Sequence, residues 1–204
     1  MPLTYLALGD SYTIGESVPA EGRWPMQLAA ALRGEGLPLA EPAILATTGW
    51  TTDELSAAMD EAGFAPPWDL VSLLIGVNNQ YRGRDVGEYR GEFHRLLERA
   101  AALAGERPDR VLVLSIPDWG VTPFARDSGR DIARIAAELD AYNATAREET
   151  LRLGARWVDI TPISRQHPAL LAGDGLHPSA AQYALWAEAA LPAARAMLAA
   201  ASAA

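Results

Sequence analysis

The chain has 204 residues, half of them hydrophobic, which is enough to bury one good core and short for two independent ones. It contains no cysteine, which excludes disulfides, thiolate zinc sites and cysteine nucleophiles. Its formal net charge of −9 would repel a phosphate backbone, and no basic stripe offsets it, so nucleic acid is not an expected partner.

The elements alternate along the chain. "LTYLAL" (3–8) is the first strand candidate, and a helical pattern follows over 24–34. "PAILAT" (42–47) precedes a helix at 52–62, and "DLVSLLIG" (69–76) precedes one at 85–105. "RVLVLSIP" (110–117) leads to a helical pattern over 127–153, and "ARWVDI" (155–160) to the last, over 178–200. The last three strand candidates are almost continuously apolar, which predicts strands covered on both faces. Strand and helix taking turns predicts an α/β fold, a mostly parallel sheet with helices on both sides. "GEGLP", "FAPPW" and "GERPD" are too short to be linkers, so one domain over 1–204 is expected. The alanine-rich end, "LPAARAMLAAASAA", reads as a helix that frays. "MPLTYLALGD" lacks the basic and long apolar regions of a signal peptide and is too short to span a bilayer. The expectation is a cytoplasmic chain without a transmembrane segment, although a chain trimmed of its signal would read the same way.

Ligands of open parallel sheets bind beyond the carboxyl ends of the strands, so the polar residues there carry the functional question. Asp10 and Ser11 follow the first strand, and Gly49 the second, with Thr51, Thr52 or Asp53 able to cap the next helix. Asn78, Asn79, Tyr81 and Arg82 follow the third, Trp119 the fourth, and Asp174 and His177 precede the final helix. Taken alone, Ser11 reads as a helix N-cap, and Asp10 as a residue that bonds loop backbone. A serine nucleophile needs a base, usually histidine, oriented by a carboxylate. Of the three histidines, His94 falls on a helical face and His167 has no acid close upstream, whereas Asp174 stands three residues before His177. Attack on an ester carbonyl also needs donors for the oxyanion. The amides of Ser11 and Gly49 and the side chain of Asn78 are the candidates, each from a separate strand end.

With these residues in place the pattern resembles the GDSL-type, or SGNH, serine hydrolases. "GDSYTIG" matches their first motif with Ser11 as nucleophile, although Tyr12 stands where the family has leucine. Gly49 falls at the second-motif glycine. "GVNN" resembles the third motif, Asn78 matching its oxyanion asparagine and Asn79 replacing the usual acid; "DGLHPS" matches the last, with Asp174 and His177 as acid and base. The resemblance spans 9–177 and implies a flavodoxin-like three-layer α/β/α sandwich around a five-stranded, mostly parallel sheet. It implies hydrolysis of esters or thioesters through an acyl-serine, without a metal or organic cofactor. "NNQYRG" and "IPDWGVTPFA" are similar to segments of a bacterial lysophospholipase-like branch.

Tyr12, Trp50, Tyr81, Arg82 and Trp119 are the candidates for substrate contact; aromatics at strand ends also roof cores, and Arg82 either grips an anionic head or pairs with an acid. The expected substrate is a small-molecule, lipid or carbohydrate ester: short-chain acyl, acetyl or lysophospholipid. The alternatives are an acyltransferase or an O-acetyl-carbohydrate esterase using the same residues, and a catalytically silent binding module. "GDSYTIGE" lacks the Lys-Ser/Thr ending of a phosphate loop, and residue 13 is threonine, which disfavours a Gly-x-Ser-x-Gly elbow. Three scattered histidines disfavour a zinc hydrolase.

Overall fold

The computed structural model describes residues 2–202. Five strands, β1 (Tyr5–Gly9), β2 (Ala43–Ala46), β3 (Leu70–Leu74), β4 (Val111–Leu114) and β5 (Arg156–Val158), form one sheet in the order β2-β1-β3-β4-β5. Every pairing is parallel. Among the described residues nine α-helices connect and cover them: α1 (Ser11–Ile14), α2 (Trp24–Gly34), α3 (Thr52–Glu61), α4 (Val77–Tyr81), α5 (Val86–Leu103), α6 (Pro123–Asp127), α7 (Ile132–Leu153), α8 (Thr161–Gln166) and α9 (Ala180–Ser202). Helices α2 and α9 pack together on one side, and α3, α5 and α7 associate on the other. This is the expected three-layer α/β/α arrangement.

The central strands are apolar because both of their faces are covered. Leu6, Leu8, Val71, Leu73, Leu112 and Val113 are all buried, each such side chain contributing about 1.5–3 kcal/mol through water exclusion. Two polar side chains of the buried strands pair with each other, the Tyr5 hydroxyl and Ser72 Oγ at 3.0 Å. The fifth strand departs from the expectation of burial on both faces. Arg156 is exposed and Trp157 and Val158 only half-buried, since β5 lies at the sheet edge.

Two helix readings also need correction. The helix expected over 127–153 begins only at Ile132: α6 ends at Asp127, Gly129 takes φ of 70°, and Asp131 then caps α7 by accepting from the N–H groups of Ala133 and Arg134. Between β3 and α5 the short helix α4 carries Asn78, Asn79 and Tyr81, where the sequence pattern predicts no helix. Helix α9 runs through Ser202; any fraying over 203–204 lies outside the described residues.

The chain reverses direction across the sheet at β1, which sits between β2 and β3. That is the switch point where the connections from neighbouring strands diverge and leave a crevice. The segments carrying Ser11 (α1), Gly49 (a loop) and Asn78 (α4) leave the carboxyl ends of these three adjacent strands.

Candidate active site

Strand β1 ends at Gly9, which only glycine can occupy: a Cβ there would lie 2.3 Å from Thr13 Oγ1 and 2.5 Å from the Leu74 carbonyl oxygen. That close approach lets α1 start immediately. Asp10, not Ser11, is the N-cap: its Oδ1 accepts from Tyr12 N at 3.0 Å. The reading of Ser11 as a cap is thereby corrected. Displaced one position into the helix, Ser11 has a hydroxyl that takes no hydrogen bond among the described residues and lines a cavity.

The opposite wall is built by the loop before α9. His177 Nδ1 lies 2.7 Å from Asp174 Oδ2, and the same oxygen accepts from Ser17 Oγ at 2.9 Å. Asp174 Oδ1 accepts from the N–H groups of Leu176 and His177, at 3.0 and 2.9 Å. Burial works to raise the Asp174 pKa, but these donors outweigh it and hold the carboxyl at about 2, a carboxylate at any working pH. Nδ1 bonded to a carboxylate leaves Nε2 as the imidazole's free nitrogen. Tyr12 stands edge-on to the imidazole with ring centres 5.8 Å apart, so the leucine-to-tyrosine departure packs against His177.

The third wall comes from α4 and the loop after β2. Gly49 has φ of 89°, a conformation that excludes other residues without strain, and a Cβ there would meet no atom within 4 Å. Asn78 Nδ2 donates to the Trp50 carbonyl at 2.9 Å, which engages one of its two N–H bonds. Asn79 is fully buried, accepts from Thr52 N at 3.1 Å and donates to Thr52 Oγ1 at 2.6 Å and to Glu92 Oε2 at 3.3 Å. Thr52 Oγ1 also donates to Glu92. The carboxylate missing at position 79 is thus supplied one helix away, by Glu92 on α5.

Together these segments line a cavity of about 230 Å³ to which Ser11, Thr48, Gly49, Asn78 and His177 contribute the polar and backbone groups. Tyr12, Val77, Tyr81, Trp119, Phe124 and Leu176 make the remainder apolar. Trp119 is fixed there because its Nε1 donates to Gln80 Oε1 at 2.9 Å, and Gln80 in turn donates to Glu138 at 2.7 Å. Trp50 and Arg82, both candidates for substrate contact, are not among the lining residues. Trp50 packs against the core, and Arg82 donates to the Gly49 carbonyl at 2.7 Å and pairs with Glu54 at 3.4 Å. His94 lies on α5 beside Glu149 and Glu98, and His167 follows α8, both outside the lining. Sequence reading missed Ser17, Val77, Phe124, Leu176 and Thr48. No local pattern marks Ser17, whose φ of 64° brings its hydroxyl back to a residue 157 positions away.

Asp10 is fully buried, and its Oδ2 has no hydrogen-bond partner among the described residues. Desolvation pushes its pKa up to about 7, only partly offset by the Tyr12 N–H. A folded-state pKa above the unfolded value means the folded chain holds a proton that the unfolded chain has released. The resulting stabilisation is fully present below about pH 4 and is lost as pH rises through about 7. Asp10→Asn, which keeps the capping oxygen, should therefore gain on the wild type with rising pH. Thermal melts at pH 4 and 8 should show the gap moving in the mutant's favour by more than about 2–4 °C, the equivalent of ~1 kcal/mol in a domain of this size.

Residues 7–185 match the GDSL-like lipase/acylhydrolase family. None of the curated proteins matches the chain. Among solved structures, the fold is similar to that of TesA, at 18% identity, 96% of this chain and 99% of that one covered, and a TM-score of 0.74. It is similar to Axe2, an acetylxylan esterase from Geobacillus stearothermophilus, at 21% identity, 94% of each chain covered and a TM-score of 0.73. It also resembles LAE5, an alpha/beta hydrolase enzyme from the metagenome of Lake Arreo, Spain, at 23% identity with 97% and 98% covered and a TM-score of 0.71. No helix among the described residues is long and apolar enough to cross a membrane.

Proposed function

The chain belongs to the GDSL-like lipase/acylhydrolase family and is a carboxylic ester hydrolase, and from that premise we propose that it cleaves esters of apolar acyl groups through an acyl-serine at Ser11. The observation that carries the reading is the cavity itself: it brings together Ser11, His177, Gly49 and Asn78, and apart from Thr48 the rest of its lining is aromatic or aliphatic.

In this mechanism His177 Nε2 takes the Ser11 proton as Oγ attacks the ester carbonyl carbon. The carbonyl oxygen becomes the oxyanion and is held by the N–H groups of Ser11 and Gly49 and by the free N–H of Asn78. The imidazolium that forms is stabilised by Asp174, whose carboxylate is already saturated with donors and does not take the proton. Collapse expels the alcohol, which receives the proton from His177. Water then attacks the acyl-serine, losing its proton to His177, and Ser11 is regenerated with release of the acid. Passing the acyl group to an alcohol or sugar in place of water would use the same steps, and product analysis with an acceptor present separates the two.

The wall of Tyr81, Trp119, Phe124 and Leu176 favours an alkyl acyl chain over a polar one, because burying CH₂ groups there gains about 0.8 kcal/mol each. Measuring kcat/KM on p-nitrophenyl esters from acetate to decanoate tests this. A rise from acetate to a medium-chain optimum is expected; a maximum at acetate with steady decline overturns the apolar-acyl reading. Phe124 lines the cavity but is 37% exposed, so truncating it opens the cavity outward with little cost to the core. For Phe124→Ala, the kcat/KM ratio of decanoate to butyrate should rise about tenfold, at the low end of what a pocket-size change controls.

A further inference from the structure

Gly49 presents a difficulty for the oxyanion role assigned to it. Glycine has the widest range of backbone conformations, so a loop hinged on it would let its N–H swing away from the oxyanion at little cost. Oxyanion stabilisation requires the opposite, donors fixed before charge develops. The Gly49 N–H has no partner among the described residues. What holds it in place must therefore act on the neighbouring peptide groups.

Those groups are gripped from α4. Arg82 caps the carboxyl end of that helix, its own N–H donating to the Asn78 carbonyl at 3.0 Å, and lies one turn beyond Asn78 on the same face. Its Nη2 donates to the Gly49 carbonyl at 2.7 Å. Asn78 donates to the next carbonyl, that of Trp50, at 2.9 Å. Glu54 completes the set: it accepts from Thr51 N at 2.8 Å and faces Arg82 Nη1 at 3.4 Å. On the upstream side, Thr48 Oγ1 donates to Glu16. Three successive residues, Gly49 to Thr51, are thus fixed by side chains from α3 and α4.

We propose that Arg82 is a positioning residue for the oxyanion site: it holds the Gly49 carbonyl while the N–H of the same peptide, that of Trp50, donates to the Thr47 carbonyl at 3.3 Å, so the turn from Thr47 to Trp50 that presents the Gly49 N–H is fixed and tied to the helix that carries Asn78. The inference rests on the proposed oxyanion role of Gly49. An exposed Arg82–Glu54 ion pair contributes little by itself, its side chains being 44% and 42% exposed, so the charge-assisted bond to the carbonyl is the effective contact. The assignment differs from a substrate-anion site, because the guanidinium is committed to backbone and to Glu54 and does not line the cavity.

Arg82→Met removes the donors and keeps the stem; Arg82→Lys keeps a cationic donor. Both are compared with wild type on p-nitrophenyl butyrate and on the carboxylate-bearing p-nitrophenyl hemisuccinate, alongside thermal melts and inhibition by an alkyl boronic acid, which forms a tetrahedral adduct. Arg82→Met is expected to lower kcat about tenfold on both esters with KM within twofold, to weaken boronate inhibition in parallel, and to leave the melting temperature in place. Arg82→Lys should recover most of the loss. An unchanged kcat overturns the proposal, as does a KM increase confined to the anionic ester, or a kcat loss that tracks a lower melting temperature without rescue by lysine. Should Ser11→Ala keep wild-type turnover, the parent reading of the site fails whatever Arg82 does. If Ser11→Ala is inactive and Arg82→Met is fully active, only the positioning role falls.

Discussion

Ser11→Ala is expected to lose at least about 10⁴-fold in kcat on p-nitrophenyl butyrate, with an unchanged melting temperature and no labelling by a fluorophosphonate probe. The Ser11 hydroxyl takes no hydrogen bond among the described residues, so removing it breaks no contact and leaves no buried group unpaired. Only the nucleophile goes. His177→Ala should lose a similar amount, and the double mutant little more, because the two residues act as a unit and their effects do not add. Asp174→Asn should fall in the same direction while preserving the acceptor that orders Leu176 and His177. Its effect arises from losing the charge that stabilises the imidazolium, and from an amide that can present its N–H to His177 Nδ1 and favour the wrong tautomer. If Ser11→Ala turns over the ester near the wild-type rate, or wild type escapes the probe, the acyl-serine reading is refuted.

Much of this arrangement was legible before any coordinates, for a specific reason. In a parallel sheet each strand delivers its next loop to the same edge, so reading the residue after each apolar run amounts to reading the site. Ser11, Gly49 and Asn78 were found that way. Asp174 and His177 were found by their spacing, which a short loop turns into a 2.7 Å contact. What stayed hidden depends on long-range packing or on competition between neighbours. Ser11 looked like a cap because serine caps helices, but Asp10 stands one residue earlier and takes the N–H first. The edge position of β5 cannot be read from "ARWVDI", since its apolar residues look the same whether one face or two are covered. Arg82 looked equally suited to an anion or a surface acid. Its partner is a backbone carbonyl 33 residues away, a kind of bond that leaves no mark on composition or period.

Asn78→Ala should lower kcat about 10²–10³-fold, or ~2.7–4 kcal/mol, with KM changed by less than about threefold. The split between kcat and KM follows from when the bond matters. A neutral ester carbonyl gains little from a weak extra donor, whereas the oxyanion gains a great deal, so the loss falls on the transition state. A merely structural role predicts something else. Asn78 Nδ2 also holds the Trp50 carbonyl at 2.9 Å, so alanine removes a loop tether together with the donor. Asn78→Asp separates the two functions: it keeps the shape of the side chain but presents no donor, and when ionised it opposes the oxyanion. If donation is what counts, the aspartate variant should be at least as impaired as the alanine variant at neutral pH. It should also regain part of its activity on acidification, as the introduced carboxylate is neutralised. Equal activity in Asn78→Ala and wild type would remove Asn78 from the oxyanion site and leave Gly49 and Ser11 N–H groups to hold the charge alone.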